Sequence, residues 1–243
     1  MYERTGLRGQ YIQVKRKRSG EITFGGDQGF FAGAPMRSAD ERKQKQGCGI
    51  TALADTFLYL AGRDAGYVIK ENESCICRVL AEEEYKEYYN RIYEFAGGLC
   101  AWGNNGLTFI RLQRIFNRMA GRQRWRLRGR WGFCGGKIYE RTLEMLKKDI
   151  PVILCMPYMV RKKDKGRGVV FYQKKENEFV KAASVSAHYI VVTGIIKESG
   201  RVYLEISSWG KKYYIDRAEY DGLIHSCFLG TILGNMLYIK GRK

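Results

Sequence analysis

The apolar residues of this chain change their spacing near residue 150, and this change narrows the choice of fold more than any other feature. Before that point they recur every three to four positions, as on the buried face of a helix. After it, short runs rich in β-branched residues predominate, as in strands. Helices followed by a mainly antiparallel sheet predict an α+β fold. Helices are predicted at about 48–62, 78–96, 107–120 and 137–149, and strands at 152–156, 169–172, 179–180, 188–196, 202–207, 212–215 and 232–239.

The length of the chain and its lack of breaks predict a single domain over residues 1–243. Of its 243 residues 45% are hydrophobic, which is enough for one sizeable core. It has three prolines and no stretch rich in serine and proline, so no linker is evident. We divide the domain into an N-terminal arm (1–46), a mainly helical half (47–149) and a mainly β half (150–243).

The cysteines and the N-terminus predict a cytoplasmic protein without a metal. The seven cysteines are an odd number and are dispersed, which fits a reducing compartment. The segment Met1–Gly6 lacks the apolar region of a signal peptide, and no apolar run approaches the roughly 18 residues of a membrane span. Cys75 and Cys77 form a close pair, but no second pair stands at zinc spacing, so we expect no metal and no cofactor.

Cys48 stands directly before the first apolar helical pattern, in Gln46-Gly47-Cys48-Gly49. A helix N-terminus carries partial positive charge and N–H groups without helical partners, and both favour the nucleophilic thiolate over the thiol. A cysteine in such a position is more often a small buried hydrophobe. Cys48 therefore needs a base and an orienting group before it counts as a catalytic candidate.

His188 is the better placed of the two histidines to serve as that base. It opens the run His188–Gly194, which predicts a buried strand with the imidazole at its N-terminal end. His225 has no comparable surroundings. Further along, the strand predicted at 202–207 ends in Ser207-Ser208-Trp209-Gly210, which could supply the orienting group.

The Cys48-Gly49 helix start, the His188 strand and the Ser207–Gly210 segment resemble the three catalytic segments of the papain-like cysteine peptidases. Cys48 and His188 are 140 residues apart, within the roughly 130 to 150 residues expected between nucleophile and histidine in that family. The family's last segment normally reads Asn-Ser-Trp-Gly, so Ser207 stands in the place of the asparagine.

Within that clan the chain is most similar to the peptidases that remove double-glycine leaders from bacteriocins and to their stand-alone relatives. In those proteins a helix and a Pro-Val-Ile strand precede the histidine strand, which matches Leu143–Lys148 and Pro151–Ile153 here. The resemblance covers about residues 44 to 215. It implies a papain-like fold, with the active site in the cleft between the two halves, and a cysteine peptidase or thiol hydrolase of bacterial type.

The resemblance also implies a role for each residue. Cys48 would attack a peptide or amide carbonyl as a thiolate, and His188 would act as base and then as acid toward the leaving amine. Ser207 would hold the imidazole. The family's oxyanion glutamine lies six residues before the nucleophile, where this chain has Arg42. Gln44, presented by a differently shaped loop, would take that role together with the Cys48 N–H, because Gln46 is too close along the chain to fold back.

Two departures leave alternatives open. The Ser207 hydroxyl is shorter than an amide, so Ser208 or Glu205 could orient the ring instead. The family's cysteine motif can also be aligned so that Thr51 replaces the nucleophile. The alternatives to a peptidase are an acyl or amide transferase on the same scaffold and a pseudo-peptidase that binds an anionic partner.

A block of arginines predicts an anionic partner. The chain has 43 basic and 25 acidic residues, a net charge of +18, and residues 101–138 contain no acidic residue. The helical and strand periods in this region predict one positive patch, formed by a helix face and a neighbouring strand. An acidic peptide or protein substrate fits it better than nucleic acid, because no nucleic-acid-binding motif accompanies the charge. The arginines are Arg111, Arg114, Arg118, Arg122, Arg124, Arg126, Arg128 and Arg130.

Overall fold

The computed structural model describes residues 2–63, 79–99, 106–133, 137–156, 168–176, 178–226, 232 and 234–241. Over these residues the fold is mixed α+β with a large antiparallel sheet, as predicted, and it has six α-helices where four were predicted. The helices are α1 (Ala39–Gln46), α2 (Cys48–Ala61), α3 (Glu82–Phe95), α4 (Phe109–Arg122), α5 (Ile138–Lys147) and α6 (Arg217–His225). The strands are β1 (Tyr2–Gly6), β2 (Gln13–Lys15), β3 (Ile22–Phe24), β4 (Leu80–Ala81), β5 (Leu127–Trp131), β6 (Val152–Met156), β7 (Val169–Lys175), β8 (Glu178–Val185), β9 (His188–Glu198), β10 (Arg201–Ser208), β11 (Lys211–Asp216) and β12 (Met236–Gly241).

The chain forms two compact units, and each is built from separate stretches of sequence. The sheet unit consists of Met1–Arg8, Trp131–Ser207 and Lys212–Tyr238. The helical unit consists of Gly9–Arg130, Ser208–Lys211 and Ile239–Lys243. The predicted N-terminal arm is therefore divided between the two units.

Strand β9 is the centre of the sheet unit. Along one edge its first half pairs with β6 and its second half with β1, while β10 pairs along the other edge; all three pairings are antiparallel. The sheet continues from β12 through β6, β9, β10, β11 and β7 to β8. The residues from His188 to Ile196 are all buried, so both faces of this part of β9 are covered, which explains its nearly continuous apolar run.

Two tight turns set the hairpins around β10. Ser199 and Gly200 join β9 to β10 with φ angles of 51° and 77°, and Trp209 and Gly210 join β10 to β11 with φ angles of 50° and 69°. Two successive residues with positive φ make the type I′ turn that matches the twist of an antiparallel hairpin. The Trp-Gly pair singled out in the sequence is thus a hairpin turn.

The core of the helical unit is arranged around α2, which is buried along most of its length. The fully buried Phe57 stacks on Phe116 of α4 at 5.1 Å between ring centroids, and its ring lies 5.4 Å from that of Trp125. The small sheet β3-β2-β4 belongs to the same unit. The predicted helix at 48–62 is confirmed, and apolar periodicity found it because its burial is nearly complete.

The elements that sequence reasoning missed are those without apolar periodicity. Helix α1 is mostly polar and is started by Ser38, whose hydroxyl accepts a hydrogen bond from the Glu41 N–H. Helix α6 is started in the same way by Asp216, whose carboxylate accepts the N–H groups of Ala218 and Glu219. Caps of this kind can be recognised in the sequence from a Ser or Asp that precedes a polar helix.

Candidate active site

The four predicted site residues divide between the two units. Gln44 and Cys48 belong to the helical unit, and His188 and Ser207 belong to the sheet unit. Cys75 and Cys77, the weak metal candidates, lie outside the described residues.

Cys48 is the first residue of α2, as predicted, and it is half-buried. The first turn of α2 contains no acidic residue, and its N-cap, Gly47, has no side chain to cap it. The positive end of the helix dipole is therefore not neutralised by a carboxylate of its own first turn. This environment favours an anion at the position of the sulfur.

Tyr89 packs against the residue that precedes the thiol. Its hydroxyl donates a hydrogen bond of 3.4 Å to the Gly47 carbonyl. A Cβ at Gly47 would lie 2.1 Å from the Tyr89 hydroxyl and 2.2 Å from the Lys43 carbonyl oxygen, so only glycine fits at the α1–α2 junction. Burial raises the pKa of Tyr89 well above its usual value, and charge on Cys48 raises it further. A neutral phenol therefore stands close to Cys48.

Gln44 lies in helix α1, four residues before Cys48, and not in the loop that we expected. Ser38 starts a helix that continues to Gln46, and this local capping is why no loop forms. Within the described part of the chain, the Gln44 side chain makes no hydrogen bond. Its carbonyl accepts a 2.9 Å hydrogen bond from the buried amide of Gln28, which also reaches the Lys43 carbonyl. Gln28 therefore positions the turn before Cys48, and no sequence signal marked it.

His188 is the first residue of β9 and is buried. It lies opposite Met156 of β6 and directly follows Ala187, whose φ of 50° is unusual for a residue with a Cβ. Burial lowers the pKa of His188 to about 4. The imidazole is consequently neutral near pH 7, which is the form that can accept a proton.

The register of β10 on β9 separates Ser207 from His188. Ser207 lies directly opposite Val191. Side chains alternate along a strand, so Val191 and His188, three residues apart, point to opposite faces of the sheet. Ser207 shares the face of Val191, while Ser208, the next residue of β10, projects to the other face of its own strand.

Glu205, the other alternative for holding the imidazole, has hydrogen-bond partners elsewhere in the sheet unit. Arg4 of β1 donates to it at 2.8 Å, and the Thr193 hydroxyl donates at 3.0 Å. Burial would raise the pKa of Glu205, but the hydrogen bond and charge of Arg4 and the charge of Lys212 lower it overall. This carboxylate therefore holds β1 against the sheet.

A buried carboxylate in α2, which sequence reasoning missed, anchors a neighbouring loop. Asp55 is 1% exposed and accepts hydrogen bonds from the Tyr85 hydroxyl at 2.7 Å, the Tyr11 hydroxyl at 3.0 Å and the Gly26 N–H at 3.0 Å. A Cβ at Gly26 would lie 1.8 Å from the Tyr85 hydroxyl, so glycine is required there. Burial raises the pKa of Asp55 to about 6, against the opposing effect of these hydrogen bonds.

The same loop holds the Trp209-Gly210 turn. The Gly210 N–H donates to the Gly26 carbonyl at 3.0 Å, and the Phe24 N–H donates to the Gly210 carbonyl at 2.8 Å. All of these residues belong to the helical unit. A continuous set of hydrogen bonds thus connects the helix that carries Cys48 to the turn that follows Ser208.

The prediction of one exposed arginine patch is wrong for Arg111. Its side chain is half-buried and donates to the Ala96 and Gly98 carbonyls at the C-terminal end of α3, where a cation is favourable. Arg118 and Arg122 lie over the Phe95 ring, at 5.1 and 4.7 Å from its centroid. These three arginines are occupied in joining α4 to α3.

No protein-family model, curated protein or solved structure matches this chain. Within the described ranges, no helix is both long and apolar enough to cross a membrane. The same residues contain no group of three or more His, Cys, Asp or Glu side chains that could hold a metal ion.

Proposed function

We propose that this chain is a papain-like cysteine peptidase or thiol hydrolase that uses Cys48 as nucleophile and His188 as base. The observation that carries the proposal is the position of Cys48 at the start of a buried helix, after a glycine that has no room for a side chain. A thiol held in this way has its sulfur at the positive end of the helix, which favours the reactive form.

In this mechanism the neutral imidazole of His188 takes the proton of the thiol as the sulfur attacks a carbonyl carbon. The resulting imidazolium returns that proton to the leaving amine, and water then hydrolyses the thioester. Because burial lowers the pKa of His188 to about 4, we expect a neutral thiol and imidazole at rest, with proton transfer only during attack. Gln44 and the Cys48 N–H would bind the oxyanion.

We assign the orienting hydroxyl to Ser208 and not to Ser207. Alternation along β9 and β10 places Ser207 on the face away from His188 and turns Ser208 the other way. The Asp55 network supports this assignment, because it holds the turn that follows Ser208. The substrate would be a peptide or protein, cleaved in the cytoplasm, where the dispersed cysteines stay reduced.

Limited alkylation with iodoacetamide at pH 7, followed by peptide mapping, tests the proposal. Cys48 should react first, and the variant His188→Ala should slow its reaction about tenfold or more, because the base is lost. The variant Cys155→Ala is the matched control, since Cys155 is also half-buried but lies within strand β6. It should leave the labelling of Cys48 unchanged.

Two results would count against the peptidase proposal. One is faster labelling of Cys155 than of Cys48. The other is an unchanged rate at Cys48 in folded His188→Ala, which would instead favour a pseudo-peptidase. An acyl or amide transferase would show the same labelling but would transfer an acyl group to an added amine in preference to water.

A further inference from the structure

The outward face of β5 carries a regular row of arginines. Arg128 and Arg130 of β5, and Arg126 directly before it, are exposed and alternate with the buried residues Leu127 and Gly129. Alternate residues on one face of a strand are about 7 Å apart. The three guanidinium groups therefore extend from an evenly spaced row of attachment points.

Nothing in the described part of the chain neutralises this row. None of the three arginines forms an ion pair with a described acidic residue. The positive field is extended by Arg124 in the preceding turn and by Lys240 on the adjacent strand β12, both of which are exposed. The row thus differs from Arg111, Arg118 and Arg122 of α4, which have partners in α3 or directly after it.

The strand that bears the row is held on both sides. The Asn117 side chain of α4 donates to the Gly129 carbonyl at 2.9 Å and accepts from the Gly129 N–H at 2.8 Å. The other edge of β5 pairs with β12. A partner cannot pair with Gly129 as an added strand without displacing Asn117, so a ligand of this face must bind the side chains.

We propose that this row binds the sugar–phosphate backbone of a nucleic acid, independently of base sequence. A phosphodiester chain presents one negative charge per nucleotide at regular intervals, which suits regularly spaced arginines. The planar guanidinium group also binds phosphate through two hydrogen bonds at once. This function is separate from the proposed chemistry at Cys48.

The composition of the face favours nucleic acid over an acidic protein. Protein interfaces usually have an apolar centre, but the aromatic residues flanking the row, Trp125 and Trp131, are each 4% exposed. These two rings therefore offer bases no surface on which to stack, and the exposed Phe133 (62%) lies two residues beyond the end of β5. A row that contacts phosphates should bind a duplex at least as well as a single strand. Ile110, on the first turn of α4, is exposed but does not lie within the row.

Fluorescence anisotropy with a labelled duplex of about 20 base pairs, measured over a series of salt concentrations, tests the proposal. In the triple variant Arg126→Gln/Arg128→Gln/Arg130→Gln, affinity at low salt should fall about tenfold or more. The slope of log affinity against log salt should become shallower by about 2 to 3, since each phosphate contact contributes about 0.9. The triple replacement by lysine should retain most of the slope.

The matched control removes the same charge elsewhere in the helical unit, with Lys15→Gln, Arg18→Gln and Arg91→Gln, all at exposed positions. It should change the slope much less. An equal effect of both triple variants would overturn the proposal, because it would show that the net charge of the protein, and not the position of the arginines, determines binding. Tighter binding of polyglutamate than of duplex would also overturn it and would indicate an acidic protein partner. Cys48 labelling in the same variants reports separately on the proposed chemistry.

Discussion

Two buried residues have pKa values shifted in opposite senses for the same physical reason. Burial disfavours the charged form of any side chain, so it lowers the pKa of His188 to about 4 and raises that of Asp55 to about 6. Both groups are therefore expected to change the stability of the fold between pH 4 and 6.5, but with opposite sign. Each contribution can be measured by substituting the residue and comparing the stability of the variant with that of the original protein.

His188 should destabilise the protein as the pH falls. Above pH 6.5 the imidazole is neutral in both states. As the pH falls below 6.5 the unfolded chain binds a proton, whereas the folded chain does so only near pH 4. The free energy of unfolding therefore falls by at most about 3 kcal/mol between pH 6.5 and pH 4. Urea unfolding at pH 7, 6 and 5 should show that His188→Gln removes this loss; an identical pH dependence in the variant would contradict the shift.

At the scale of elements, the pairing of β9 with β10 decides which serine can serve the imidazole. The two-residue turn at Ser199 and Gly200 sets the register as far as Glu205, and a one-residue shift between Glu205 and Ile206 places Ser207 opposite Val191. A further slip of one residue would exchange the faces of Ser207 and Ser208. The sequence resemblance indicated Ser207 because that residue stands at the position of the asparagine in the family's Asn-Ser-Trp-Gly segment. Only the pairing partner, Val191, shows which way that side chain points.

The variants Ser208→Ala and Ser207→Ala test the register as a matched pair. We expect Ser208→Ala to slow iodoacetamide labelling of Cys48 several-fold, because a less ordered imidazole is a poorer base. Ser207→Ala should leave the rate within about twofold of the original. The opposite ranking, with both variants folded, would return the orienting role to Ser207.

At the scale of the whole molecule, residues remote in sequence depend on one carboxylate. Asp55 in α2 binds the Gly26 N–H, and the Gly26 carbonyl binds the Gly210 N–H. Three parts of the chain are thereby joined within the helical unit. Ionisation of the buried carboxylate costs stability at neutral pH, and the hydrogen bonds from Tyr85, Gly26 and Tyr11 offset part of that cost.

Asp55→Asn should destabilise the fold by about 2 kcal/mol at pH 7. The NH2 group of asparagine is a donor, and it would replace a carboxylate oxygen that accepts from the Tyr11 or Tyr85 hydroxyl. In the original protein the raised pKa contributes stability that is fully present below pH 3.8 and is lost as the pH rises through about 6. The variant should lack this dependence. Amide hydrogen exchange at Gly26 and Gly210 should accelerate in the variant but not in Asp221→Asn, a control on α6. Unchanged exchange at both glycines would contradict the proposed connection.

The sequence by itself determined the type and approximate position of the elements with strong apolar periodicity, including α2, α4, α5 and β9. It could do so because this periodicity depends on residues close together in the chain. It also placed Cys48 at a helix start and His188 at a strand start, since both positions follow from the same local patterns.

The tertiary structure alone decided the facing of Ser207, the burial of Asp55 and the requirement for glycine at position 47. Each depends on a contact between distant residues: Ser207 with Val191, Asp55 with Gly26, and Gly47 with Tyr89. The arginines illustrate the same division, since their spacing is local but their partners are not. The sequence predicted one patch, and packing divided it into α4 arginines that join α3 and a β5 row that faces outward.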